Sequence, residues 1–414
     1  PVELANVHTA TGTKNLIFMT TLTGSLLAYD ANSGQKIWQQ DTHYSKITNS
    51  SPAIDPSGQF VYSYGVDGKI HKYAVETGQE TLGSGWPERV TLMNDVEKGS
   101  SALTISKKYL YVTLSGYIGD AGHYEGHIVA IELATGKKTV FNVLCANIHE
   151  LLTAQEGAAN YCPAIQAGVW ARAGAIVDPV TGHVFIVTGN GTYDANTGGS
   201  NYGDSVLELS EDVTHLLDSY TPSNFAYLQA NDVDLGSTSP VMLPQQTGSS
   251  TPYLAVQGGK DNTLRLLNRE NLSGKGGPNH VGGALQAVQI GAGVFTQPIA
   301  WNDAHHTTWL FVTTHDQLLA YKVVTDSQGH TSLQLAYQND DGGNSPLIAN
   351  NILFVQSDSH IRAITLSTGK TLWDSQQDGA GGSIGALHWQ SPLVVNGCVY
   401  VVDMDGQFTS YGLK

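Results

Sequence analysis

The 414-residue chain carries 36 acidic and 20 basic side chains, a net charge of −16, and is only 14% charged. An acidic surface repels nucleic-acid phosphates and anionic lipid, and no run of 18 apolar residues exists to span a bilayer, so nucleic-acid partners and a membrane span are not expected. Few charges and 46 glycines suit many short strands joined by tight turns, and they do not suit helices.

Residues 2–6 already read as strand, and the chain opens at Pro1 without a Met, so an export signal is expected to have stood upstream. Internal repeats then govern the reading. Leu26-Leu-Ala-Tyr-Asp-Ala-Asn-Ser-Gly-Gln-Lys-Ile-Trp38 is echoed at Ile70–Glu80, Ile128–Lys138 and Ile361–Trp373. Each is an alternating strand, a Ser/Thr-Gly turn and a second strand. Gly34, Gly78, Gly136 and Gly369 stand where a tight hairpin needs positive φ. Another hairpin precedes each, as at Ser51-Pro-Ala-Ile-Asp-Pro-Ser-Gly-Gln-Phe-Val-Tyr62 and Ser391-Pro-Leu-Val-Val-Asn-Gly-Cys-Val-Tyr-Val401. Four strands per unit make a propeller blade. The blades fall at 1–44, 45–92, 93–145, 168–222, 236–289, 290–340, 341–377 and 385–414, a single all-β, eight-bladed β-propeller over 1–414. The last blade has three strands, ending at Tyr411, and its fourth is expected upstream of Pro1.

Three cysteines remain. Cys145 and Cys162 flank a long irregular stretch and could close a 17-residue loop, worth roughly 3 kcal/mol and pointing to an oxidising compartment, periplasmic or extracellular. Cys398, in an apolar strand, reads as a small core residue.

The units Ala28-Tyr-Asp-Ala-Asn-Ser-Gly-Gln-Lys-Ile-Trp38 and Ala363-Ile-Thr-Leu-Ser-Thr-Gly-Lys-Thr-Leu-Trp373 resemble the pyrroloquinoline-quinone (PQQ) repeat, A-x-D-x-x-T-G-x-x-x-W. The resemblance runs over essentially the whole chain, strongest at its ends. It implies kinship with two groups: quinoprotein alcohol dehydrogenases, which carry PQQ and calcium, and non-catalytic propellers such as the outer-membrane assembly lipoproteins.

Insertions locate function in a propeller. The longest irregular stretches are 114–126, 144–168, 189–204 and 218–235, in blades 3 to 5. All connect strands 2 and 3 or leave strand 4, and so open on one face. They are rich in oxygen groups: Asn190, Asp194, Asn196, Asn201, Asp204, Asp232 and Asp234. Calcium is the ion such groups would hold, with Asn190, Asp234, Asp204 and Asp120 as its ligands, although no calcium-loop pattern is complete. By resemblance, Thr188-Gly-Asn190 matches the dehydrogenase segment whose Asn binds calcium, and Asp234 falls in register with the catalytic Asp.

The departures are several. No two cysteines are adjacent, so the family's Cys pair over the quinone is missing. The Trp beneath the quinone falls near Gly174, with Trp170 four residues early. No Cys-x-x-Cys-His haem motif occurs. Trp170, Arg172 and Lys260 open strands on the channel side, and Arg172 suits an anionic ligand or a pairing with Asp178. His149-Glu150 lacks the second His of a zinc protease motif, and His305-His306 reads as a solvated turn. The expected protein is therefore a binding propeller of the envelope or extracellular space. It takes a protein or carbohydrate partner through the long-loop face, with no bound quinone. A PQQ- and calcium-dependent alcohol or sugar dehydrogenase, with Asp234 as base and Asn190, Trp170 and Arg172 around the cofactor, is the alternative.

Overall fold

A computed structural model describes residues 1–377 and 384–412. It is all-β, an eight-bladed β-propeller whose sheets span residues 2–40, 53–89, 97–142, 176–220, 241–289, 299–339, 347–374 and 393–412. Strands run in simple antiparallel order within each sheet, and the last sheet has three: Leu393–Val395, Cys398–Val402 and Phe408–Gly412. The chain forms two compact units, Pro1–Ser239 with Gly277–Gly282, and Pro240–Gly276 with Gly283–Lys414. The first holds blades 1–4 and the second blades 5–8.

Within each unit, neighbouring blades share an apolar layer. In the first unit Leu16, Phe18 and Trp38 pack on Val61, Tyr73 and Val75; Tyr62, Ile70 and Trp86 pack on Leu110, Val129 and Val140; and Ile128, Ala130 and Phe141 pack on Val184, Ile186 and Leu207. The second unit repeats this with Leu254, Val256 and Leu266 against Leu310, Val312 and Tyr321, and so on to Tyr411. Each strand gives alternate side chains to its two flanking layers, which is why the repeats read as apolar throughout.

The four Ser/Thr-Gly turns have the expected backbone, with φ of 70° at Gly34 and 71° at Gly78, Gly136 and Gly369. The turn also docks one blade on the next. The Trp38 indole donates to Val75 O at 3.0 Å, and a Cβ at Gly78 would lie 2.7 Å from its ring.

Three features differ from expectation. The innermost strand of blade 3 is split into Glu97–Gly99 and Thr104–Ser106, both paired to Tyr109–Gly116. Residues 100–103 bulge out between them, opposite Val112 and Thr113 alone. A helix, Phe225–Asn231, lies in the stretch expected to be loop. Its fully buried Leu228 and Phe225, edge-on to Tyr193 at 4.8 Å, give it an apolar side that outweighs weak local propensity. Finally, Cys398 begins its strand half-buried, because the strand's first residue lies at the sheet end rather than in the core.

Gly78→Ala is expected to destabilise the protein by about 2–4 kcal/mol, since it adds a left-handed backbone cost to a clash with the Trp38 ring. Thermal unfolding checks this: the midpoint falls by several degrees, whereas Gly12→Ala, whose Cβ meets nothing within 4 Å, loses only the smaller backbone cost.

Candidate functional site

The four long loops of blades 3 and 4 knit together inside the first unit. Cys145 and Cys162 form a disulfide, with sulfurs 2.10 Å apart. Beyond Cys162 the chain runs between blades 3 and 4, bonding to both. Gln166 N donates to Tyr124 O (2.7 Å), Gly126 N to Gln166 O (2.9 Å) and Val169 N to Leu114 O (3.1 Å) on one side. Ala167 N donates to Asn190 O (2.8 Å) and Gly189 N to Gly168 O (2.9 Å) on the other. The approach leaves no room for side chains: a Cβ at Gly126 would lie 1.9 Å from Ala167 O.

This segment brings several of the sequence-derived candidates together. The Trp170 indole donates to Asp234 Oδ2 at 3.1 Å, and Asn190 N donates to Asp234 Oδ1 at 3.3 Å. Asp204 lies behind them, accepting Leu235 N at 3.0 Å, while its own N–H goes to Gly189 O. Asp204 and Asp234 are buried. Trp170, not position 174, therefore meets Asp234; Gly174 instead packs on Ala102 and Ser101, and its carbonyl accepts the Ser239 hydroxyl. Arg172 stands 6.0 Å over the Trp170 ring and donates to Ser100 O at 3.0 Å.

The other candidates lie apart. Asp120 accepts the Tyr124 hydroxyl at 2.5 Å. Asp232 caps the helix end in a left-handed conformation and is exposed. Asp194 and Asn201 bond to each other, and Asn201 Oδ1 accepts Cys145 N, so these loop amides and carboxylates pin one loop to another. In the second unit Lys260 lies in the loop before Thr263–Asn268, and His305 and His306 are exposed in a turn capped by Asp303.

Calcium takes six to eight oxygens. Among the described residues no three His, Cys, Asp or Glu side chains converge as metal ligands, and Asp234 directs both oxygens to N–H donors.

A second cluster lies beside this one. Glu97 and Glu125 are buried, Glu97 accepting the Thr91 hydroxyl and, at 3.1 Å, Glu125 N. His123 Nε2 lies 2.9 Å from Glu125 Oε1 and donates to Cys162 O. Burial, then the charge of Glu97, push the Glu125 carboxyl up to about 9, and burial also raises Glu97. Glu97, Lys98 and Glu125 are not among the sequence-derived candidates. In a chain so poor in charge, an adjacent Glu97-Lys98 opening an inner strand was the available signal.

The arrangement defines a propeller of the PQQ-like repeat class. The chain belongs to the family described as outer membrane protein assembly factor BamB, which matches residues 3–159 and 284–414, well over half its length. No curated protein matches by sequence. Among solved structures, quinohemoprotein alcohol dehydrogenase ADHIIG from Pseudomonas putida HK5 is similar at 15% identity and a TM-score of 0.63, covering 93% of this chain and 68% of that one. The quinohemoprotein alcohol dehydrogenase from Comamonas testosteroni gives 14%, 0.63, 94% and 69%. BamB from Moraxella catarrhalis gives 13%, 0.57, 100% and 96%. At these identities the likeness is one of fold.

Because Glu125 keeps its proton in the folded protein between about pH 4.5 and 9, while the unfolded chain sheds it, its contribution to stability is complete below that window and is lost as pH rises through it. Glu125→Gln is expected to remove a loss of order 1 kcal/mol per pH unit there. Urea unfolding midpoints at pH 5.5 and 8.5 test this, the variant gaining on the parent at the higher pH.

Proposed function

We propose that the chain is a non-catalytic propeller acting outside the cytoplasm, which binds a protein partner through the long-loop face of blades 3 and 4. The observation that carries this is the pairing of rigid loops with bare apolar tips. The loops are held by the disulfide and by segment 166–169, yet Ile118 is 73% exposed and Tyr227 59% exposed on them. Exposed aliphatic and aromatic groups on a preorganised surface are what a protein interface uses. The compartment rests on the Cys145–Cys162 bond and on the outer-membrane assembly family, and the acidic surface favours no nucleic acid. A photo-reactive residue at position 118 or 227 is expected to cross-link a protein in cells. The same residue at exposed Val180, in the turn between strands Ile176–Val177 and Val184–Val187, is expected not to. Adducts from position 180 alone would move the interface to the turn face.

The meeting of Asn190, Asp234 and Trp170 favours a second reading, a PQQ- and calcium-dependent dehydrogenase of alcohols or sugars. Calorimetric titration with PQQ in excess calcium decides between them. No heat is expected; tight, calcium-dependent binding lost in Asp234→Ala would establish the dehydrogenase instead.

A further inference from the structure

The bulge at residues 100–103 gathers two cations on one residue. Ser100 accepts Lys98 Nζ on its hydroxyl at 3.2 Å and Arg172 Nη1 on its carbonyl at 3.0 Å. Lys98 also donates to Asn49 Oδ1 at 2.6 Å, and it is 4% exposed. Among the described residues its hydrogen-bond partners, Asn49 and Ser100, are both neutral. The carboxylate next to it, Glu97, engages Thr91 and the Glu125 amide, and alternation along the strand sends it to the opposite side. Two further donors are buried close by in sequence: the Ser50 and Ser101 hydroxyls have no hydrogen-bond partner. Asn49 and Arg172 are half-buried, so the cluster reaches solvent through them.

A buried ammonium whose hydrogen-bond partners are neutral, as Lys98 is, is costly unless a negative charge joins it. We infer that Asn49, Ser50, Lys98, Ser100, Ser101 and Arg172 form a binding site for a small oxyanion or carboxylate group. Lys98 and Arg172 supply charge-assisted donors, and the serine hydroxyls rotate to complete the set. This site goes beyond the partner-binding surface and does not depend on it.

The environment also couples the anion to a proton. Burial, then the charge of Arg172, lower Lys98 to about 7, and burial lowers Arg172 to about 9. Above neutral pH Lys98 is therefore largely uncharged without a ligand, and an anion draws a proton onto it.

The test is calorimetric titration of the whole chain at pH 8 with sulfate, phosphate and glucuronate, each in two buffers of different ionisation heat. Saturable binding with uptake of close to one proton is expected. Lys98→Met is expected to weaken it by roughly tenfold or more and abolish the uptake, while Lys98→Arg keeps binding without uptake. Tighter binding of glucuronate than of the inorganic ions identifies the carboxylate of an acidic sugar as the ligand; the reverse order identifies a free oxyanion. Absence of binding by all three at tens of millimolar, or binding by the parent with no proton uptake, overturns the proposal without recourse to a variant.

Discussion

Blade-to-blade contact through side-chain-free turns is the constraint on which the structure depends. A blade cannot bury both its faces alone, and each does so only by closing on its neighbour. The apolar layers supply most of that energy, but they are non-directional and leave a blade free to slide. The outer aromatic of one blade on the Thr-Gly turn of the next fixes the slide. Trp38 lies over Gly78 and bonds to Val75 O, and Tyr337 lies over Gly369 and bonds to Leu366 O at 2.7 Å. At Gly78 and Gly369 the glycine that takes the left-handed turn also admits the ring, whereas a Cβ at Gly34 would meet nothing within 4 Å and one at Gly136 would meet the Gly85 backbone.

The loops of blades 3 and 4 use close backbone approach differently. Segment 166–169 sits where two blades would otherwise part, and it supplies backbone bonds to both. To do so Gln166 and Ala167 adopt φ of 81° and 52°, each costing of order 1 kcal/mol or more. Cys145, Asp204 and Asp232 in the same loops share that conformation. Such strain persists only where the surroundings hold it, and here the disulfide, the Asp234 carboxylate and the Asp194–Asn201 pair do so. The outcome is a loop surface with little freedom left to lose on binding.

What was legible in the sequence follows from what is local. The hairpin turns, the apolar alternation and the three-stranded last blade all derive from short-range pattern, and the structure has them. The Cys145–Cys162 pairing was legible because only two cysteines flanked a loop. The helix Phe225–Asn231 was not, because it depends on the burial of Leu228 and on Phe225 meeting Tyr193, distant in the chain. The split of the blade 3 inner strand was hidden for a similar reason: Ser100 to Leu103 look like strand, and only pairing to Tyr109–Gly116 shows two residues in excess. Trp170 was displaced from its expected role by counting along a strand, whereas the indole reaches Asp234 across a connection the count ignored.

The strand Glu97–Gly99 shows what that hidden geometry does. Its alternation sends Glu97 towards Glu125 and Lys98 towards Arg172, so three residues hold a buried acidic pair on one side and a basic pair on the other. Opposite charges so close would neutralise each other if they shared a side; the pleat keeps them apart. Burial first, and then the like charge beside it, moves a proton in each pair. Glu125 keeps one that an exposed carboxyl would lose, and Lys98 gives one up that an exposed amine would keep. Both adjustments cost stability near neutral pH, and neither helps close the blade, whose apolar layers would pack as well around uncharged residues. Lys98 on the strand and Glu125 packed against Glu97 both oppose folding near neutral pH, so the charges here work against the blade rather than for it.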